Sequence, residues 1–257
     1  MAKRRERANA RQRCGFDFHG AKLSLAPVPE PLRAVVFDVD FTIAKPGPDL
    51  GPEGYRRLGE RFGLELDPAR YDDARRCAIS TLKRRPELDH DEEIWVLFTE
   101  RIVVGMGGVG ETYACAHEMT HAWERAEHFE LYDDALPVLE ELRAHDLLLG
   151  LLSNTSRDLD AFVAHHRLDV DVALTSRLHG KTKPHGTIFR AMLERLGVEP
   201  ARAAMVGDDL HDDVEGARAV GMNAWLIDRE GRFPEVPDRL EDLRALPAAL
   251  GLMRESP

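Results

Sequence analysis

Five stretches of the chain are apolar almost without interruption, and each runs out into polar residues. They are LRAVVFDVD (32–40), LLLGLLSN (147–154), DVALTS (171–176), AAMVGDD (203–209) and NAWLID (223–228). Near-continuous apolar runs of this length suit strands buried on both faces, as in a parallel sheet. Amphipathic stretches accompany the later ones: LPVLEELRAH, RDLDAFVAHH, GTIFRAMLERLG and HDDVEGARAVG. Their apolar residues recur near helical spacing, and Gly197 and Gly221 stand where helices commonly stop. Strand and helix alternate, which predicts an α/β fold with a doubly wound, Rossmann-like parallel sheet.

The alternation breaks between the first two strands. Residues 46–132 hold no clear buried strand. A Pro/Gly-rich exit, KPGPDLGPEGY, leads into the helix-like segments GYRRLGERFGL, DPARYDDARRCAISTLKRR, HDEEIWVLFTERIVVGMG and GETYACAHEMTHAWERAEHF. This is too long for a loop, and Trp95, Leu97, Phe98 and Ile102 give it an apolar face of its own. The pattern predicts an all-helical insertion over one end of the sheet, spanning 46–132. The core is then built from 32–45 and 133–257. GMGGVG (105–110) reads as a flexible break between two helices. It lacks the preceding strand and the glycine spacing of a dinucleotide-binding turn.

The chain of 257 residues suffices for one large domain, or one with a second inserted into it. A formal net charge of −11 argues against broad nucleic-acid binding and against a basic membrane-surface patch. Residues 1–31 depart from this, with Lys3, Arg4, Arg5, Arg7, Arg11 and Arg13 near the start. They read as a basic, disordered leader. No apolar run approaches eighteen residues, so a membrane partner is not expected. Cys14, Cys77 and Cys115 lie far apart and form no C-x-x-C pair. A soluble protein of a reducing cytoplasm fits, with a small molecule as its partner. The sequence does not specify an oligomeric state.

In an open α/β sheet, ligands gather at the carboxyl ends of the strands. The first strand ends in Asp38-Val39-Asp40, and alternation points both carboxylates to one side. The second ends in Ser153-Asn154-Thr155, and Lys183-Pro184 precedes the helix after the third. The fourth ends in Gly207-Asp208-Asp209, with Asp212 and Asp213 close behind. Clustered carboxylates repel one another, and a divalent cation relieves the repulsion. A ligand set of hard oxygens, without His or Cys, favours Mg²⁺. A lysine and a serine hydroxyl would neutralise a phosphoryl group. One aspartate is then free to attack phosphorus and a second to protonate the leaving oxygen.

A competing signal lies in HEMTH (117–121), an H-E-x-x-H pattern. On a helix it puts His117 and His121 on one face beside Glu118, a possible zinc grip. The longer pattern that supplies a third ligand needs Gly at 124 and His at 127, and both positions are Glu. The stretch therefore reads as an ordinary helix of the insertion.

FDVDFT, LLSNTS, KTKP and VGDDLHDD, in this order and on these elements, resemble the haloacid dehalogenase superfamily. The helical insertion looks like that superfamily's C1 cap. The resemblance covers about residues 32–250. It implies Asp38 as a nucleophile that forms an aspartyl-phosphate and also binds Mg²⁺. It implies Asp40 as general acid and base, with its backbone carbonyl on the metal, and Asp208 as a carboxylate ligand. Asp213 supports the metal shell; Asp209 and Asp212 are weaker candidates. Thr42, Ser153, Asn154 and Lys183 fall to the phosphoryl group and the loops that hold it. Phe41 stands where many members have Gly, which concerns the room beside the nucleophile. The function implied is a Mg²⁺-dependent phosphatase acting on a small phosphorylated metabolite. A sugar-phosphate mutase, a 2-haloacid dehalogenase and a regulatory protein on the same scaffold stand as alternatives. Lys83, Arg84 and Arg85 read as a solvated helix face.

Overall fold

The computed structural model describes residues 31–82, 84, 86–236 and 239–252. The basic leader, apart from Pro31, lies outside the described residues, and so do Lys83 and Arg85. The five apolar runs form a single parallel sheet: β1 (Ala34–Phe37), β4 (Leu148–Ser153), β5 (Val172–Thr175), β6 (Ala203–Gly207) and β7 (Asn223–Leu226). Their spatial order is β5-β4-β1-β6-β7. β1 is central, with Val36 opposite Gly150 on one side and Met205 on the other.

Both sheet faces are covered, which is why the strands read as apolar throughout. Val35 and Phe37 pack into one core with α5 (Ala135–Ala144), α6 (Leu159–His166) and α10 (Leu246–Ala249). Ala34 and Val36 point the other way, towards α8 (Gly186–Leu196) and α9 (Gly216–Ala219). A four-residue helix, α7 (Ser176–His179), follows β5. No helix among the described residues is long and apolar enough to cross a membrane.

The chain leaves β1 on one side of the sheet and returns to β6 on the other, so the strand order reverses beside β1. That switch point is where a doubly wound sheet opens a crevice at its strand ends. Into the first crossover are set α1 (Pro52–Arg61), α2 (Tyr71–Thr81), α3 (Glu92–Gly105) and α4 (Thr112–Trp123).

The segment is not wholly helical at its ends. β2 (Ala44–Pro46) and β3 (Phe129–Leu131) pair antiparallel, with Ala44 opposite Leu131. At three residues each they carry no period that a sequence reading could detect. GMGGVG does separate α3 from α4, and Gly107 and Gly110 take left-handed backbone there.

Candidate active site

Lys183 is the centre of the strand-end cluster. Its ammonium is buried and donates three hydrogen bonds: to Asp38 Oδ1 at 2.6 Å, to Asp213 Oδ1 at 2.6 Å and to the Leu152 carbonyl at 2.9 Å. Every proton of the ammonium is used. Asn154 fixes the backbone on which Lys183 sits. Its carbonyl oxygen accepts from Lys183 N at 2.7 Å and its amide donates to Lys183 O at 3.1 Å.

Asp38 follows β1, and its own N–H donates to Val206 O, continuing the ladder with β6. Asp213 lies on a π-helical turn, Leu210–Glu215, after β6. Gly207 makes room for it, since a Cβ there would stand 2.2 Å from Asp213 Oδ2. Asp209 caps that turn by accepting from the N–H groups of His211 and Asp212. Of the four acids in this stretch, Asp208 and Asp213 therefore face the cluster and Asp209 does not.

Carboxylate oxygens of Asp38, Asp208 and Asp213 lie within 4.8 Å of one another. Three carboxylates against one ammonium leave the site electron-rich, and its donors are all hard oxygens. That donor set fits Mg²⁺. Burial is the largest influence on the Asp38 carboxyl. The Lys183 ammonium opposes it, and Asp213, Asp208 and Asp40 add to it, so the net pKa is raised well above the usual value. Asp208 is pushed up to about 7, by burial first and then by Asp213, with Arg232 opposing. Burial works against the Lys183 ammonium, but Asp213 and Asp38 outweigh it and raise its pKa.

These directions fix a pH dependence. Asp208 holds its proton to about pH 7 in the folded chain but only to about 3.8 in the unfolded one. Its contribution to metal-free stability is therefore lost as pH rises through that window. A divalent cation would displace the proton and cancel the loss. The gain in melting temperature from Mg²⁺ over EDTA should be larger at pH 8 than at pH 5. An equal gain at both would show that these carboxylates do not bind the ion.

Asp40 lies near this cluster but holds a different cation. Its carboxylate pairs with Arg157, at 2.9 Å from Nη1 and 3.3 Å from Nη2. The Arg157 side chain is 1% exposed. Its Cζ stands 3.6 Å from the Phe129 ring centroid, and its Nε donates to the Trp123 carbonyl at 3.2 Å. The Asp40 carboxylate is thus outside the three-acid group.

Residues 32–221 match the family of haloacid dehalogenase-like hydrolases. The chain belongs to that family. It is 42% identical over 124 residues to the phosphatase MT3486 of Mycobacterium tuberculosis, covering 46% of this chain and 55% of that protein. It is 40% identical over 136 residues to a phosphoserine phosphatase of Thermus thermophilus, covering 50% of this chain and 53% of that one. The chain thus spans about half the length of these two relatives. A crystal structure of a HAD phosphatase from Thermococcus onnurineus superposes with a TM-score of 0.60 at 30% identity, over 86% of this chain and 98% of that one.

In this dehalogenase-like hydrolase the expected phosphate-binding residues divide. Ser153 is buried and lines the cavity beside Asp38 and Lys183, and its hydroxyl has no hydrogen-bond partner among the described residues. Asn154 lines the cavity too, but its amide is committed to Lys183 and Asp212. Thr42 is fully buried and is not among the residues that line the cavity, and its hydroxyl donates to Asp38 Oδ2 at 3.3 Å. Phe41 has φ +64, in the left-handed region where a glycine is unstrained and a phenylalanine is not.

Arg84 also departs from expectation. It is no solvated surface charge, for it pairs with Asp212 and donates to the Lys183 carbonyl at 3.1 Å. Arg232 bonds Asp208 Oδ2 at 2.7 Å, and Arg229 pairs with Asp134 at 2.9 Å and with the Thr42 carbonyl at 2.8 Å. The HEMTH residues stand apart from all of this. His117, Glu118 and His121 lie exposed on α4, with Glu118 3.9 Å from Arg61 and His121 3.3 Å from Glu124. Their ligand atoms form no converging group among the described residues.

Proposed function

We propose that this hydrolase is a Mg²⁺-dependent phosphatase that cleaves a small phosphate ester through an aspartyl-phosphate on Asp38. The observation that carries the reading is the Lys183 ammonium between Asp38 and Asp213, with Asp208 beside them and the Ser153 hydroxyl free at the same strand ends. Phosphatases among its relatives support it.

Asp38, Asp208 and Asp213 would hold Mg²⁺, with the Asp40 carbonyl. The ion supplies charge neutralisation at the phosphoryl group. Lys183 pins the Asp38 carboxylate and Ser153 donates to a phosphoryl oxygen. An Asp38 oxygen attacks phosphorus in line as the ester P–O bond breaks, and Asp40, entering this step protonated on Oδ2 with Oδ1 kept on Arg157, gives that proton to the departing alkoxide. Asp40 then takes a proton from the water that attacks the aspartyl-phosphate, which releases phosphate and restores Asp38. Residues 46–132 act as a cap that shields these steps from bulk water. A 2-haloacid dehalogenase would have no use for Asp40.

Purified protein should hydrolyse p-nitrophenyl phosphate with Mg²⁺, lose that activity in EDTA and regain it with Mg²⁺ rather than Zn²⁺. Restoration by zinc alone, abolished by His117→Ala, would overturn the reading in favour of the α4 histidines.

A further inference from the structure

The cavity above Asp38 has a volume of about 350 Å³. That is small for a binding pocket, and it must hold a phosphoryl group with its leaving group. Its far wall comes from the helical segment. Tyr71, Leu82, Trp95, Phe98 and Ile102 line it, and the Trp95 and Phe98 rings meet edge to face at 6.1 Å.

Several polar groups on this wall already have protein partners. The Thr120 hydroxyl donates to Ala116 O, Glu92 stands 3.5 Å from Arg177, and Glu124 stands 3.3 Å from His121. A polyhydroxylated leaving group would give up its hydration here for few partners. An aromatic or bulky apolar body would lose little water that it prefers and would gain contact with the rings.

Cations of the lining are engaged too, with one exception. Lys183, Arg84, Arg157, Arg229 and Arg232 each hold a carboxylate. Arg75, on α2, lines the cavity with no carboxylate partner among the described residues. Its Cζ lies 4.9 Å from the centroid of the Phe41 ring, which follows Asp40 directly and places the guanidinium over the mouth of the strand-end site.

We propose that the leaving group is an aromatic or bulky apolar body carrying a carboxylate, the body against Trp95 and Phe98 and the carboxylate on Arg75. This rests on the phosphatase reading for the anchoring of the phosphoryl group. A guanidinium forks onto a carboxylate, and in a pocket walled by rings the pair is poorly screened.

Three phosphonates that cannot be hydrolysed test it, titrated calorimetrically into the whole protein with Mg²⁺. 2-(Phosphonomethyl)-3-phenylpropanoate has all three features. 3-Phosphonopropanoate lacks the benzyl group, and (2-methyl-3-phenylpropyl)phosphonate carries a methyl in place of the carboxylate. The first should bind about 10–100-fold more tightly than the second, from burial of the ring. It should bind about tenfold more tightly than the third. Arg75→Met should erase the difference between the first and third while leaving the third unchanged, which also shows that the variant is folded.

Equal binding of the first two compounds, binding of none, or a carboxylate preference that survives Arg75→Met would each overturn the proposal. If p-nitrophenyl phosphate is hydrolysed in any of these cases, the phosphatase reading stands without it. If the binding order holds and no ester is hydrolysed, the phosphatase reading fails and the pocket assignment stands.

Discussion

Asp38→Asn should leave no measurable turnover and no phospho-enzyme, in a protein at least as stable as the parent without metal. An amide is not a competent nucleophile towards phosphorus, so the first step has no route. The fold should not suffer, because Asn can still accept the Lys183 bond that Asp38 Oδ1 now takes at 2.6 Å. It also removes one of three crowded carboxylates, whose burial already raises the Asp38 pKa. Asp40→Asn should behave differently. On the proposed mechanism it keeps the nucleophile and loses the proton donor and the later base. Alkyl phosphates should slow by about 10²–10⁴-fold. p-Nitrophenyl phosphate, whose leaving group needs little protonation, should still phosphorylate Asp38, and the adduct should then decay slowly. Intact-mass measurement after acid quench separates the two. A phosphate adduct on the Asp38 variant would place the nucleophile elsewhere and sink the mechanism.

Strands and their polar ends were legible because burial on both faces leaves near-continuous apolar runs that break off in polar residues. The order of Asp38, Ser153, Lys183 and Asp208 along those ends followed from the same runs, and the structure brings all four to one cavity. What the sequence hid is of two kinds. β2 and β3 are three residues long, shorter than any period of two can signal. The guanidinium partners were hidden for another reason. Arg84, Arg157, Arg229 and Arg232 lie in loops, where spacing carries no information about which distant carboxylate they meet. Arg84 even sat in a basic run that commonly marks a solvated face, yet it closes on Asp212, 128 residues away. Phe41 could be flagged from sequence as an unusual residue. Only its φ of +64 explains why a glycine would be at ease there.

Arg157→Met should cost stability and damage the proton-transfer step selectively. Breaking a buried ion pair by removing one partner costs about 3–5 kcal/mol. The Asp40 side chain is 24% exposed and can recover some water, so about 3 kcal/mol is expected. Met keeps much of the apolar body against the Phe129 and Phe162 rings, so the loss reports mainly on the charge pair. Urea unfolding measures it. The effect on activity distinguishes positioning from packing. Arg157 reaches both oxygens of Asp40 and the carbonyl of Trp123 at the end of α4, so it fixes the acid to the helical segment as well as to the core. Without it Asp40 is free to turn away. Alkyl phosphates should then slow far more than p-nitrophenyl phosphate, as in Asp40→Asn, and the double variant should be no slower than Asp40→Asn alone. A uniform loss across leaving groups, multiplying with that of Asp40→Asn, would mean that Arg157 supports only the fold.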